Sequence, residues 1–110
     1  MAESVVYDNS RKGGSRDAVK VGHLVCSIKG RDKEKLYLVV GLESPSRVRV
    51  ADGEGRKVEN PKRKNVNHLK FTGLIAGEVA DKALVGKRIT NADVRKELKS
   101  LAQIVDKCPL

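Results

Sequence analysis

Residues 22–41 read GHLVCSIKGRDKEKLYLVVG, and two apolar segments in this stretch flank a short polar loop. Residues 24–28 and residues 36–40 are rich in the side chains that favour a pleated surface. Gly30 lies in the loop between them, where a turn needs a residue that tolerates a positive φ angle. The stretch therefore predicts a β-hairpin with Gly30 at its tip.

The predicted tip is rich in cations. Its basic side chains are Lys29, Arg31, Lys33 and Lys35, and its acids are Asp32 and Glu34. Backbone N–H groups around a flexible glycine, together with several cations, suit a phosphate group. An ordinary solvated hairpin tip has a similar composition, so the pattern leaves both interpretations open.

A second basic run follows at residues 56–64, RKVENPKRK. It contains Arg56, Lys57, Lys62, Arg63 and Lys64 and only one acid, Glu59. We expect charge reversal of Arg63 and Lys64 to weaken binding of a polyanion and to leave thermal melting almost unchanged.

Further strands surround this second run. Arginine and valine alternate from Arg47 to Val50, which predicts a strand with Arg47 and Arg49 facing solvent. A short strand is predicted to begin at Val58 and to end before Pro61, and residues 66–71 predict a final strand. Four to five short strands in about fifty residues favour a small barrel, because closure removes exposed edges. We therefore predict a mainly β fold, an SH3-like barrel over residues 21–73, after a flexible tail at residues 1–20.

The C-terminal extension, residues 74–110, contains residues that typically begin and end helices. Thr90 and Asp93 have the spacing of a capping box, which predicts a helix that begins near Asn91. Its apolar stripe consists of Val94, Leu98, Leu101, Ala102 and Val105. A shorter helix is predicted between residues 75 and 85, ending at Gly86. The fold is thus a barrel followed by an α-helical segment.

The net charge narrows the class of partner. The chain has 110 residues, 23 Lys and Arg, 14 Asp and Glu, and a formal charge of +9. Residues 22–73 hold twelve basic and six acidic side chains, and therefore six of the nine net charges. Such a field attracts polyanions. We find no segment that suggests a membrane anchor or a signal peptide, and we expect a cytoplasmic protein whose two cysteines, Cys26 and Cys108, are thiols.

The hairpin stretch also resembles a known family. With Gly22 before the first strand and Gly30 in the basic turn, it is similar to the KOW motif of ribosomal proteins and transcription elongation factors. DGEGRKVENPKRKNVNHLKFTG and GKRITNADVRKELKSL extend the likeness to small bacterial KOW proteins, which are similar to KOW-containing large-subunit ribosomal proteins of archaea and eukaryotes. The likeness covers about residues 21–104. It departs at Lys33-Glu34-Lys35, where many KOW motifs carry a Lys-Gly pair.

The resemblance implies a non-catalytic RNA-binding module that associates with rRNA or the ribosome through its barrel loops. The expected RNA-binding residues are Lys29, Gly30, Arg31, Lys33, Lys35, Arg47, Arg49, Arg56, Lys57, Lys62, Arg63 and Lys64. A protein-interaction module that contacts the transcription or translation machinery, or a DNA-binding protein, remains an alternative, because the phosphate interaction is common to DNA and RNA.

Catalysis and metal binding are not expected. His23 and Cys26 are three residues apart on a predicted strand and so face opposite sides, and no second ligand pair accompanies them. We expect no enzyme activity, no cofactor, no metal, no small-molecule substrate and no membrane partner.

Overall fold

The computed structural model describes residues 19–105. The strands are β1 (His23–Ser27), β2 (Leu36–Ser44), β3 (Arg47–Ala51), β4 (Lys62–Asn65) and β5 (Leu69–Ile75), and the helices are α1 (Gly77–Leu84) and α2 (Asn91–Ile104). A short 3-10 helix, Val66–His68, connects β4 to β5. The predicted tail at residues 1–20 lies outside the described residues except for its last two positions.

All five strands belong to one antiparallel sheet with the order β4-β3-β2-β1-β5. The predicted hairpin is confirmed, because Leu24 pairs with Leu38 and Cys26 with Leu36 across β1 and β2. The fold is therefore mainly β with two helices, as predicted. Closure of the sheet into an SH3-like barrel stays a prediction at this stage.

Strand positions around the second basic run differ from the prediction. Val58 lies in a turn, because its N–H donates to Asn91 Oδ1 at 2.8 Å and not to a neighbouring strand. The strand is instead Lys62–Asn65, which overlaps the end of the basic run. The last strand begins at Leu69, because Asn65 caps the preceding 3-10 helix by accepting a hydrogen bond from the Asn67 N–H.

The sheet buries apolar side chains on both faces. One core contains Val25, Tyr37, Val39, Val48, Val50, Val66 and Leu69. The other contains Leu24, Leu38, Ala76, Val79, Val94 and Leu101, and so joins the sheet to both helices. Alternate residues of β1 and β2 point to opposite cores, as the two-residue period of a strand requires. The helices therefore cover one face of the sheet.

Both C-terminal helices agree with the capping and terminating residues in the sequence. α2 begins at Asn91, and Thr90 and Asp93 form the predicted capping box. α1 spans Gly77–Leu84, a little shorter than predicted. Neither helix is both long and apolar enough to span a membrane, within residues 19–105.

One cysteine differs from the prediction. Cys26 is fully buried in β1 and is disulfide-bonded, so the prediction of a thiol is wrong there. That prediction came from the small number of cysteines and the expected redox compartment. Cys108 lies outside the described residues.

Candidate nucleic-acid interface

Asp32 anchors the tip of the hairpin between β1 and β2. Its Oδ1 accepts hydrogen bonds from Ser27 Oγ at 2.8 Å and from Lys64 Nζ at 3.0 Å. Its Oδ2 accepts from Tyr37 OH at 2.8 Å and from Lys62 Nζ at 3.0 Å. The Asp32 side chain is only 9% exposed. We call these five residues the Asp32 cluster.

The strand register explains why two lysines reach Asp32. Lys64 pairs with Val48 and Lys62 with Val50 across β3 and β4. Directly opposed residues of paired strands share a face of the sheet, so both lysines lie on the face of the buried valines. The Lys64 side chain is 8% exposed, and its Nζ also donates to the Lys29 carbonyl oxygen at 2.9 Å. The tip therefore lies against the inner face of β4.

Within the Asp32 cluster, the surroundings favour an ionised Asp32 and a neutral Tyr37. Burial alone raises the pKa of Asp32, but the hydrogen bonds from Lys64, Ser27, Tyr37 and Lys62 outweigh it and hold that pKa well below its usual value. Burial, and then the hydrogen bond to Asp32 and its negative charge, raise the pKa of Tyr37 well above that of a free phenol. At neutral pH Asp32 therefore accepts hydrogen bonds as a carboxylate, and the Tyr37 hydroxyl donates one to it.

The tip presents its other cations to solvent. Lys29, Arg31 and Lys33 are exposed and form no ion pair within residues 19–105. Lys35 is exposed too, but its Nζ lies 3.1 Å from Asp52 Oδ2. Gly30 has a φ of +95°, as the turn requires.

Glu34 also has a left-handed backbone, with a φ of +74°. It is the one non-glycine residue with a positive φ among residues 19–105. This is where the sequence departs from the Lys-Gly pair of many KOW motifs. The backbone conformation that favours glycine is present there, although the glycine is not.

Arginines form a second exposed cationic surface on the outer face of β3 and β4. Arg47 and Arg49 alternate with the buried valines of β3, and Arg63 lies opposite Arg49 on β4. The Arg63 side chain is 65% exposed, and its Nε lies 3.5 Å from Glu43 Oε2. The Arg49 guanidinium crosses β2 at Gly41, where an added Cβ would lie 2.6 Å from Arg49 Nε. Gly41 thus leaves room for the Arg49 side chain.

The start of the second basic run lies in an ordered turn. The Arg56 N–H donates to Asp52 Oδ1 at 2.8 Å, and Lys57 is exposed. Burial alone raises the pKa of Asp52, but backbone N–H donors at Arg56 and Glu54 and the Lys35 ammonium lower it overall. Asp52 therefore connects this turn to the base of the hairpin tip.

Comparison with known proteins shows a bacterial relative. No family model matches the chain. The chain is 39% identical over 62 residues to "Putative ribosome-binding protein YbzG" of Bacillus subtilis (strain 168), a match that covers 56% of this chain and 84% of that protein. The chain belongs to the YbzG family. This YbzG-family chain is longer than the matched region, so the likeness concerns little more than half of its residues.

In this YbzG-family chain, the predicted RNA-binding residues separate into two groups. Exposed positions are Lys29, Gly30, Arg31, Lys33, Lys35, Arg47, Arg49, Lys57 and Arg63, with Arg56 half-buried. Lys62 and Lys64 belong to the Asp32 cluster instead, and Lys64 is buried. Because an acid at position 64 would face Asp32, we now expect charge reversal of Lys64 to lower the melting temperature, contrary to the expectation from the sequence.

Sequence reasoning missed the role of Asp32. The signal was present: Lys62 and Lys64 are two residues apart, so on a strand they share a face and leave Arg63 on the other. We use this alternation for Arg47 and Arg49 but not for residues 62–64 in predicting strands from the sequence. Within residues 19–105, no group of three His, Cys, Asp or Glu side chains has the arrangement of a metal site.

Proposed function

We propose that this YbzG-family chain is a non-catalytic RNA-binding protein that associates with the ribosome in the cytoplasm. The name of its Bacillus relative refers to ribosome binding, and the net charge of +9 favours a polyanionic partner. The cations that contact rRNA phosphates are those of the hairpin tip and of the outer face of β3 and β4.

The main support for this proposal is that these cations are exposed and so available to phosphate groups. Lys29, Arg31 and Lys33 extend from the tip without an ion pair in the described part of the chain, and Arg47 and Arg49 lie on a strand surface. Each cation that neutralises a phosphate releases counterions, which stabilises the complex at low salt. A-form RNA offers phosphates and 2′-hydroxyls to such a surface but hides its major-groove base edges. We expect recognition of shape more than of sequence.

The aromatic residues favour helical over single-stranded RNA. Tyr37 is buried in the core, and Phe71 packs edge-on against His23 with ring centroids 5.6 Å apart. Single-strand binders instead stack bases on exposed aromatic rings. The described residues offer no exposed tyrosine or phenylalanine for this purpose.

The proposal includes a KOW-type, SH3-like barrel as the scaffold. β4 and β5 are the two edges of the sheet, yet only the three residues Val66–His68 separate them in the chain. A connection this short holds one end of each edge strand close to the other, so the sheet must bend strongly. This geometry supports the barrel expected from the KOW resemblance.

Sedimentation of the native protein tests this function. Gently lysed cells are separated on a density gradient at low and at high salt, and RNA that copurifies is sequenced. We expect migration with ribosomal particles at low salt and release at high salt. Migration as free protein, with polymerase and no RNA, or with DNA would contradict the proposal and favour one of the other classes of partner.

A further inference from the structure

We infer that Asp32 is a positioning residue for RNA binding: it fixes the hairpin tip so that Lys29, Arg31 and Lys33 are presented to phosphates in one arrangement. The inference rests on the proposed function and assigns the half-buried Lys62 and the buried Lys64 to the support of the tip. Asp32 itself does not contact RNA, since its side chain is 9% exposed.

One carboxylate joins three strands. Ser27 is the last residue of β1, Tyr37 lies in β2, and Lys62 and Lys64 lie in β4. Their four donors lie 2.8–3.0 Å from the carboxylate oxygens. An ionised carboxylate accepts about four hydrogen bonds, so Asp32 is saturated. Motion of the tip away from β4 would therefore break several charge-assisted contacts together.

The backbone of the tip is tied to the same cluster. Lys64 Nζ donates to the Lys29 carbonyl oxygen at 2.9 Å, and a Cβ added to Gly30 would lie 3.4 Å from Asp32 Oδ1. The Glu34 N–H donates to the Ser27 carbonyl oxygen at 2.6 Å, which closes the other side of the loop. The tip is therefore already ordered in the folded protein. Because RNA binding does not have to order it again, the entropy cost of binding is smaller and the affinity is higher.

For Asp32→Asn, the inference and the net charge predict opposite changes in RNA affinity. Asp32→Asn removes an acid from a basic region, so charge alone predicts tighter RNA binding. Loss of a positioned tip predicts weaker binding. Glu34→Gln removes an exposed acid two positions away and serves as the matched control for charge.

The experiment measures binding of purified 23S rRNA from Bacillus subtilis by the wild-type chain and its variants. We expect Asp32→Asn to weaken affinity about five- to tenfold. We expect Glu34→Gln to bind as tightly as the wild type or more tightly. Equal or tighter binding by Asp32→Asn would overturn the inference.

Two further variants separate positioning from stability. Asp93→Asn also removes an acid and destabilises the protein, because Asp93 completes the α2 capping box and pairs with Lys82 at 2.6 Å. We expect it to lose stability but keep RNA affinity, and a loss of affinity comparable to that of Asp32→Asn would mean that stability alone controls binding.

Tyr37→Phe keeps the ring and the net charge and removes one donor to Asp32, so it serves if Asp32→Asn does not fold. We expect faster amide hydrogen exchange at residues 29–33 and about twofold weaker binding. Unchanged exchange and unchanged affinity would overturn the inference. If the wild type binds neither 23S rRNA nor ribosomal particles, the proposed function is wrong. If the wild type binds and no variant weakens that binding, only the inference is wrong.

Discussion

The two basic runs have similar compositions but different arrangements. In the hairpin tip, the cations face solvent around an acid, Asp32, whose side chain is 9% exposed. In the second run, Lys62 and Lys64 turn inward to that acid, and Arg63 between them turns outward. Strand alternation therefore determines which cations are available to a partner, and local composition does not.

The largest expected effect comes from charge reversal on the two faces of β4. Lys64→Glu would place a second buried carboxylate beside Asp32, and we expect the free energy of unfolding to fall by about 3–5 kcal/mol. Arg63→Glu affects an exposed side chain, and we expect a change below about 1 kcal/mol. Urea unfolding followed by circular dichroism measures both. Similar losses in the two variants would contradict the assignment of inner and outer faces.

Acid unfolding should distinguish the same two positions. The pKa of Asp32 is lower in the folded chain than in the unfolded chain, so its contribution to stability is complete above the unfolded value, about 3.9, and is lost as the pH falls through the folded value. Lys64→Gln removes the strongest of the interactions that lower this pKa, so we expect acid unfolding at a higher pH.

Arg63→Gln is the control for acid unfolding. Circular dichroism between pH 7 and pH 2 should give this variant the wild-type midpoint, because Arg63 does not contact Asp32. A shift that is equal in both variants would show that general charge repulsion, and not the Asp32 cluster, controls acid unfolding.

A smaller effect is expected from the backbone of the tip. Glu34 has a φ of +74°, which costs a non-glycine residue about 1–2 kcal/mol, while glycine loses about 0.5–1 kcal/mol more entropy on folding. Glu34→Gly should therefore raise the free energy of unfolding by about 0.5–1 kcal/mol. Gly30→Ala, with φ at +95°, should lower it. Urea unfolding of both variants measures the difference, and a loss of stability in Glu34→Gly would be contrary to this account.

The smallest effect is expected from the outer face. Gly41→Ala would displace the Arg49 guanidinium, which is flexible at its far end, so we expect a change in unfolding free energy within about 0.5 kcal/mol. If the position of Arg49 matters for RNA, affinity for 23S rRNA should fall about twofold. Arg49→Gln should then make Gly41→Ala neutral, and an effect of Gly41→Ala that persists without the arginine would refute this explanation.

Local signals in the sequence predicted the hairpin and α2, because both depend on neighbouring residues: apolar runs around Gly30, and the Thr90–Asp93 capping box. The sequence did not predict β4 or the partners of Asp32. These depend on contacts between residues about thirty positions apart, such as Asp32 with Lys62 and Lys64. The composition of each basic run is also typical of a solvated loop, so composition alone does not identify β4 or the contacts of Asp32.

The most direct test compares the salt dependence of 23S rRNA binding for Arg63→Gln and Lys64→Gln, two adjacent positions with the same change in charge. The account predicts that Arg63→Gln lowers the slope of log affinity against log salt concentration by about 0.7–0.9, the value for one lost phosphate contact, and that Lys64→Gln leaves the slope unchanged. A lower slope for Lys64→Gln with an unchanged slope for Arg63→Gln would contradict it.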